Sequence, residues 1–278
     1  MKVSLVMATI NRIDVIDDFI KSILLQSHQN FELIIVDQNK HNEVEKLLKN
    51  YQGKHLKIKY IKSEPGLSKA RNVGLKYATG DIVGFPDDDC VYKSDTLEKV
   101  VNFFNHKPKY HLLTGRCQDE NGEVSVGKFN HKSCDINKMN VWNCGVSVTL
   151  FVRKEVFKIV SGFDEHIGAG SGTLFGSGEE TDFILNCLEA NFKGHYEENI
   201  VVVHPNPLTE YNERSFKRAY LYGAGYTKVL SKHRYPIYKL GESLIRPLVA
   251  TFIYFFNKNK RKYYYFLFKG RITGLLFK

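Results

Sequence analysis

Residues 2–37 read KVSLVMATINRIDVIDDFIKSILLQSHQNFELIIVD, and this stretch decides the fold class. Residues 2–7 and 31–36 are almost continuous apolar, β-branched runs, the pattern of strands covered on both faces of a parallel sheet. Between them Val15, Ile16, Phe19, Ile20, Ile23 and Leu24 recur at helical spacing, so the stretch predicts strand, helix, strand. Parallel strands joined this way form a right-handed crossover.

Working outward, the pattern repeats. Residues 56–61 predict a strand, 67–77 a helix, and 81–85 a strand running into Pro86. Such alternation specifies an open, mostly parallel α/β sheet with helices on both faces, and ligands bind outside the carboxyl ends of its strands. Three polar groups fall at those ends: residues 9–12, residues 37–39, and Asp87, Asp88 and Asp89. Beyond them, 97–104 reads as a helix, and 111–114 and 146–152 read as strands around a loop-like stretch with Gly122 and Gly127. A glycine-dense segment, 162–178, precedes a helix with Phe183, Ile184, Cys187 and Leu188 on one face. Residues 216–229 and 235–256 are expected to be helical, followed by a cationic run, 258–262, and an aromatic cluster, 263–268.

With 43% hydrophobic residues in 278, the chain can bury a sizeable core, which excludes disordered and fibrous classes. Its five cysteines include no CxxC pair, so a disulfide framework or zinc knuckle is not expected; they read as reduced thiols, Cys187 in the core. The charge is lopsided. From Arg214 onward 15 Lys/Arg face one acid, Glu242, a balance of +14, whereas the preceding residues sum to −4. A near-neutral body joined to a strongly basic tail implies an anionic partner.

No apolar run in the tail reaches the roughly 20 residues needed to span a bilayer, and aromatics interleaved with cations fit a segment lying in a membrane interface. The first residues read directly into a strand rather than a leader, so a cytoplasmic location is expected, with the tail on the inner face of the cell membrane. RNA is the other polyanion such a tail suits, but a lipid surface is preferred and no nucleic acid is expected.

Asp87, Asp88 and Asp89 follow an apolar strand through Pro86, with no basic residue beside them in sequence. Carboxylates this dense suit Mg²⁺ or Mn²⁺, which bridge to substrate phosphates. The bland alternative is a solvated acidic turn before the next helix.

Four motifs in order resemble family-2 glycosyltransferases of the GT-A fold, an inverting class that uses nucleotide-diphospho-sugars. They are Ala8-Thr9-Ile10-Asn11-Arg12, Val36-Asp37, Gly66-Leu67-Ser68-Lys69-Ala70-Arg71-Asn72-Val73-Gly74, and the acidic triplet. Gly162-Phe163-Asp164-Glu165 and Gly178-Glu179-Glu180-Thr181-Asp182 resemble the acceptor-side pattern, so the likeness covers about residues 1–205. It implies a GT-A catalytic domain over 1–209, with a nucleotide-sugar half (1–115) and an acceptor half (116–209), and a helical basic extension over 210–278.

The resemblance also implies roles. Thr9, Asn11 and Arg12 would line the nucleotide pocket, and Asp37 would accept a hydrogen bond from the base. Arg71 would face phosphate oxygens, Asp87 would touch the ribose with Asp88 beside it, and Asp89 would hold Mn²⁺ or Mg²⁺ with His204 as a further ligand. Glu180 would be the general base, with Glu179 and Asp182 as alternates. Each has a plainer reading: Asp37 a strand-end turn, Arg71 a surface arginine, His204 a structural histidine, and Glu180 the acid of a Ser177-x-x-Glu180 capping box. The implied partners are a nucleotide-diphospho-sugar donor, UDP- or dTDP-linked by preference, and a glycan or lipid-linked saccharide acceptor in cell-surface polysaccharide assembly. A nucleotidyltransferase would open on a glycine-rich phosphate loop, which residues 9–12 lack. A basic membrane- or RNA-binding protein would have no need of the acidic groups.

Overall fold

The computed structural model describes residues 1–53, 55–206 and 210–277. The boundary expected at residue 209 falls outside them. In chain order the elements are β1 (Val3–Thr9), α1 (Asp14–Leu24), β2 (Phe31–Asp37), α2 (Glu43–Leu48), β3 (Lys57–Lys62), α3 (Leu67–Leu75), β4 (Ile82–Gly84), β5 (Val91–Tyr92), α4 (Thr96–His106), β6 (Leu112–Gln118), β7 (Cys134–Ile136), β8 (Phe151–Arg153), α5 (Glu179–Glu189), β9 (Gly194–Val203), α6 (Glu213–Lys232), α7 (Ile237–Ile253) and α8 (Lys258–Leu276). They fall into two compact units. The first comprises Met1–Pro65, Lys69–Gly162 and Phe183–Asn206; the second comprises Gly66–Ser68, Phe163–Asp182 and Pro207–Lys278.

The first unit is built on one sheet, nine-stranded among the described residues, in the order β3-β2-β1-β4-β8-β6-β9-β5 with β7 against β9. The opening βαβ prediction holds. β1 pairs with β2 in parallel from Val3↔Phe31 to Thr9↔Asp37, and β4 joins β1 on its other side. A further parallel bridge, Ala8↔Asp87, carries the chain past β4 to the same edge. Thr9, Asp37 and Asp87 therefore stand side by side at the carboxyl ends of adjacent strands. β1 and β2 are buried almost throughout, whereas β3, at the edge, alternates between covered and exposed residues.

Helix α1 lays Ile16, Phe19, Ile20 and Ile23 into the core, as its spacing predicts. Helix α3 comes unusually close to the sheet: a Cβ on Gly74 would stand 2.4 Å from Val6 Cγ1 and 3.1 Å from Val36 Cγ2, so only glycine fits. The strand expected over 146–152 is shorter, because Ser147–Thr149 forms a 3-10 turn before β8. Thr149 Oγ1 reaches the Gly115 carbonyl at 3.1 Å, satisfying backbone there without a ladder.

The second unit holds α6, α7 and α8. Asn212 and Ser215 form a reciprocal capping box that starts α6. Helix α8 packs along α6, with Phe266 on Phe216 and Thr227 Oγ1 donating to the Arg271 carbonyl at 2.8 Å. Pro247 inside α7 has no N–H for the Ser243 carbonyl, and the Arg271 guanidinium donates to that carbonyl instead.

Candidate active site

In the first unit the strand ends converge on a charged cluster. Thr9 Oγ1 donates to Asp88 Oδ2 at 2.7 Å, and Arg12 pairs with Asp88 at 3.1 Å and, more closely, with Asp89. Arg71, wholly buried on α3, reaches Asp87 Oδ1 at 3.1 Å. Sequence adjacency left the triplet without basic neighbours. That expectation is corrected: the ends of β1 and α3 bring two arginines to it from 16 and 76 or more residues away.

Strand β9, which pairs with β5 just after the triplet, supplies an imidazole. His204 follows β9, its Nε2 3.1 Å from Asp89 Oδ1 and 3.8 Å from Asp87 Oδ2. Its Nδ1 lies 2.7 Å from the Pro205 carbonyl, which orients the ring and leaves Nε2 toward the acids. Burial works against the His204 imidazolium, but the two carboxylates outweigh it and lift the group to about 10. Burial pushes the Asp88 carboxyl up to about 6 against the pull of Thr9 and Arg12.

One atom of each of Asp87, Asp89 and His204 lies within 4.8 Å of the others. Asp89 Oδ1 is buried and, despite its nearness to His204, accepts no aligned hydrogen bond. A buried carboxylate oxygen outside any aligned hydrogen bond, 3.1 Å from an oriented imidazole and beside a second carboxylate, fits a hard divalent cation.

At the neighbouring strand ends Asp37 is fully enclosed. Its Oδ1 accepts from Asn39 N (2.8 Å) and Nδ2 (2.7 Å), and its Oδ2 from Tyr60 (2.7 Å) and Lys62 (2.8 Å). Burial would raise its carboxyl, but these donors, Lys62 foremost, hold it below the usual range. Asn11 adopts a left-handed backbone (φ 57°), and its N–H donates to Asn39 Oδ1 at 2.7 Å. Sequence reasoning passed over Tyr60 and Lys62, and placed Asn39 at the strand end without giving it a role. The signal for Lys62 was available, since parallel pairing of β2 with β3 sets Asp37 opposite Lys62.

In the second unit Glu179, Glu180 and Asp182 occupy the first turn of α5. Gly178 (φ 95°) precedes the helix directly, and Ser177, one residue farther out, donates to the Tyr222 carbonyl at 3.2 Å. Glu179 is buried under the glycine-dense loop, its Oε2 3.0 Å from where a Cβ on Gly168 would stand. Glu180 is partly exposed. Asp182 is fully buried and accepts from Lys232 Nζ (2.9 Å) and His233 Nε2 (2.8 Å), and Lys232 also donates to Asp164 Oδ2 (2.8 Å). Burial opposes the Lys232 charge, but those two carboxylates outweigh it and raise its pKa above the ordinary value. These contacts fix the Asp182 carboxylate in place at the start of α5.

The profile of glycosyl transferase family 2 matches residues 4–159, more than half of the chain. The chain belongs to glycosyl transferase family 2. Among curated relatives of this family-2 member, the putative teichuronic acid biosynthesis glycosyltransferase TuaG of Bacillus subtilis is 31% identical over 131 residues, 46% of this chain and 52% of that protein. The UDP-Glc:alpha-D-GlcNAc-diphosphoundecaprenol beta-1,3-glucosyltransferase WfgD of Escherichia coli is 28% identical over 145 residues, 52% of this chain and 56% of that protein. The chain spans about half the length of these curated relatives.

Among solved structures, mannosyltransferase PcManGT from Pyrobaculum calidifontis, in complex with GDP-Man and Mn²⁺, matches with a TM-score of 0.65 at 14% identity. The match covers 100% of this chain and 88% of that one. At that identity the likeness shows the fold, and the family-2 chain has the GT-A fold. The residues that sequence reasoning missed in the second unit, Lys232 and His233, lie beyond the matched 4–159 and carry no motif.

Proposed function

We propose that this chain is a metal-dependent, inverting glycosyltransferase that moves a sugar from a nucleotide-diphospho-sugar, UDP- or dTDP-linked by preference, to an acceptor hydroxyl. The observation that carries this reading is the Asp87–Asp89–His204 cluster, with one ligand atom of each within 4.8 Å of the others, at the carboxyl edge of the sheet beside Thr9 and Arg12. Asp89 and His204 would hold Mn²⁺ or Mg²⁺. When bound, the cation supplies charge neutralisation for the departing diphosphate.

The chain's own residues have separable tasks. Thr9 and Arg12 fix Asp88 and Asp89. Arg71 fixes Asp87, which would meet the ribose. The enclosed Asp37, with Asn11 behind Asn39, would present the base-recognising edge. Glu180, the least buried acid of its turn, would take the proton from the acceptor hydroxyl. Glu179 is the alternate, and Asp182 acts as an anchor. Functionally the chain divides into a catalytic domain over 1–209, with donor (1–115) and acceptor (116–209) halves, and a basic extension over 210–278.

The acceptor is proposed to be a lipid-linked saccharide in cell-surface polysaccharide assembly. WfgD, whose name specifies a diphosphoundecaprenol-linked acceptor, and TuaG, named for teichuronic acid biosynthesis, support this. The basic extension would then meet an anionic membrane surface on the cytoplasmic face. None of the helices among the described residues is long and apolar enough to cross a membrane. Release of nucleoside diphosphate from a panel of UDP-, dTDP- and GDP-sugars with Mn²⁺ tests the reaction. Turnover that Asp89→Asn abolishes is expected; equal turnover in that variant would remove the metal assignment.

A further inference from the structure

Within the tail expected to lie in a membrane interface, the aromatic cluster 263–268 is partly covered by ring contacts in the second unit. Tyr263 lies edge-on to Tyr211, Tyr264 stacks on Tyr254 at 5.3 Å, and Phe266 meets Phe216 at 6.0 Å. The uncovered apolar surface is on α7. Tyr238, Ile245, Val249, Phe252 and Phe256 are all exposed, Phe252 at 68% and Phe256 at 98%. Within the helix Tyr238, Ile245, Val249 and Phe252 are spaced seven, four and three apart on one face, continued by Ile253 at 70%, and Phe256 lies in the turn just after it. The opposite face carries Ser243 and Pro247, both buried.

Cations frame this stripe. Arg246 and Lys239 flank it and hold Glu242, the single acid nearby. At its far end Arg261 lies over Phe255 at 5.1 Å and Lys260 over Tyr254 at 5.1 Å. An apolar stripe bordered by cations suits a lipid surface bearing anionic headgroups, which takes both at once. A second copy of this chain would instead set like charges against each other around the stripe.

We propose that α7 is the membrane-docking element: it lies in the plane of an anionic bilayer with Ile245, Val249 and Phe252 among the acyl chains and the flanking Lys and Arg at the headgroups. This rests on the membrane part of the function proposed above and is independent of the sugar chemistry.

The test uses full-length protein with phosphatidylglycerol-containing vesicles against pure phosphatidylcholine. In Phe252→Trp the added fluorescence should shift to the blue on anionic vesicles and be quenched by brominated acyl chains, with wild type, whose single tryptophan is Trp142, as the reference. Val249→Glu and Ile245→Glu should each lower vesicle partitioning about tenfold or more while leaving the melting temperature unchanged, because both side chains are already exposed. Tyr265→Glu on α8 should change partitioning little.

Binding without a blue shift, lost instead when Lys258, Lys260, Arg261 and Lys262 become Gln, would overturn α7 insertion while keeping the membrane contact. A lipid-free dimer in sedimentation equilibrium that Val249→Glu abolishes would assign the stripe to a second copy and overturn the proposal. Absence of vesicle binding would overturn both the docking and the membrane reading. Nucleoside diphosphate release from a nucleotide-sugar donor in the presence of a water-soluble acceptor, measured on the same protein, separates any of these from failure of the glycosyltransferase reading.

Discussion

Replacing Lys232 by methionine keeps most of the side chain's length and removes one charge from the network under α5. In the native unit Lys232 bridges Asp164 and Asp182, and Asp182 keeps His233 as a second donor. A hydrogen bond to a charged, buried carboxylate contributes roughly 1.5–3 kcal/mol. The Asp164 arm is partly exposed at both ends, 28% and 32%, and so adds only about 0.5–1 kcal/mol. Because Lys232 is itself one-third exposed, the lower ends apply, and the loss is about 2 kcal/mol.

For a chain of this size about 1 kcal/mol moves the melting temperature by roughly 2–4 °C, so Lys232→Met should melt about 4–8 °C below wild type at pH 7. Circular dichroism melts measure this directly, and Lys232→Arg should recover part of the loss. The Lys232 pKa is raised above 10.5, so its contribution is complete below that value and disappears as pH rises through the folded pKa. Asp164 is shifted below 3.8, because Lys232 and the His166 N–H outweigh burial, so its arm is complete above that value and fades on acidification. A Lys232→Met variant melting within about 1 °C of wild type would refute the reasoning and show that other contacts fix Asp182.

Glu180→Gln should retain nucleotide binding and lose about 10²–10⁴-fold in turnover, as removal of a general base does. Asp182→Asn should chiefly lower the melting temperature, and an Asp182→Asn protein that melts normally but is as inactive as Glu180→Gln would transfer the base to Asp182. Glu32, accepting from Lys2 (2.6 Å), Ser4 (2.5 Å) and the Thr79 N–H (2.8 Å), is held at about 2 although burial opposes its charge. Its stabilisation is complete above its ordinary 4.5 and lost as pH falls through about 2, so the gap in melting temperature between wild type and Glu32→Gln should close over that window. A gap independent of pH would contradict the assignment.

The fold was legible where periodicity is strong and contacts are local. The βαβ opening, the strand into Pro86 and the acidic triplet at a strand end follow from residues close in sequence, and parallel pairing then sets Thr9, Asp37 and Asp87 along one edge. What the sequence hid are partners delivered by tertiary convergence. Arg12 and Arg71 neutralise a triplet that looks uncompensated in one dimension. Lys232 and His233 end a helix 50 and 51 residues beyond the Asp182 they hold. Which aromatic rings of the tail are covered is likewise set by packing of α8 on α6 and against Tyr254, which local composition does not carry.

The central claim is that Asp87, Asp89 and His204 form a cation-dependent donor site at the carboxyl edge of the sheet. A thermal-shift titration of wild type and Asp89→Asn with UDP, dTDP, GDP and CDP, each with and without Mn²⁺, tests it most directly. The account predicts that UDP or dTDP raises the melting temperature only when Mn²⁺ is present, and that Asp89→Asn, folded on its own, abolishes the rise. Equal stabilisation with and without Mn²⁺ in both proteins, or none in the folded wild type, would contradict it.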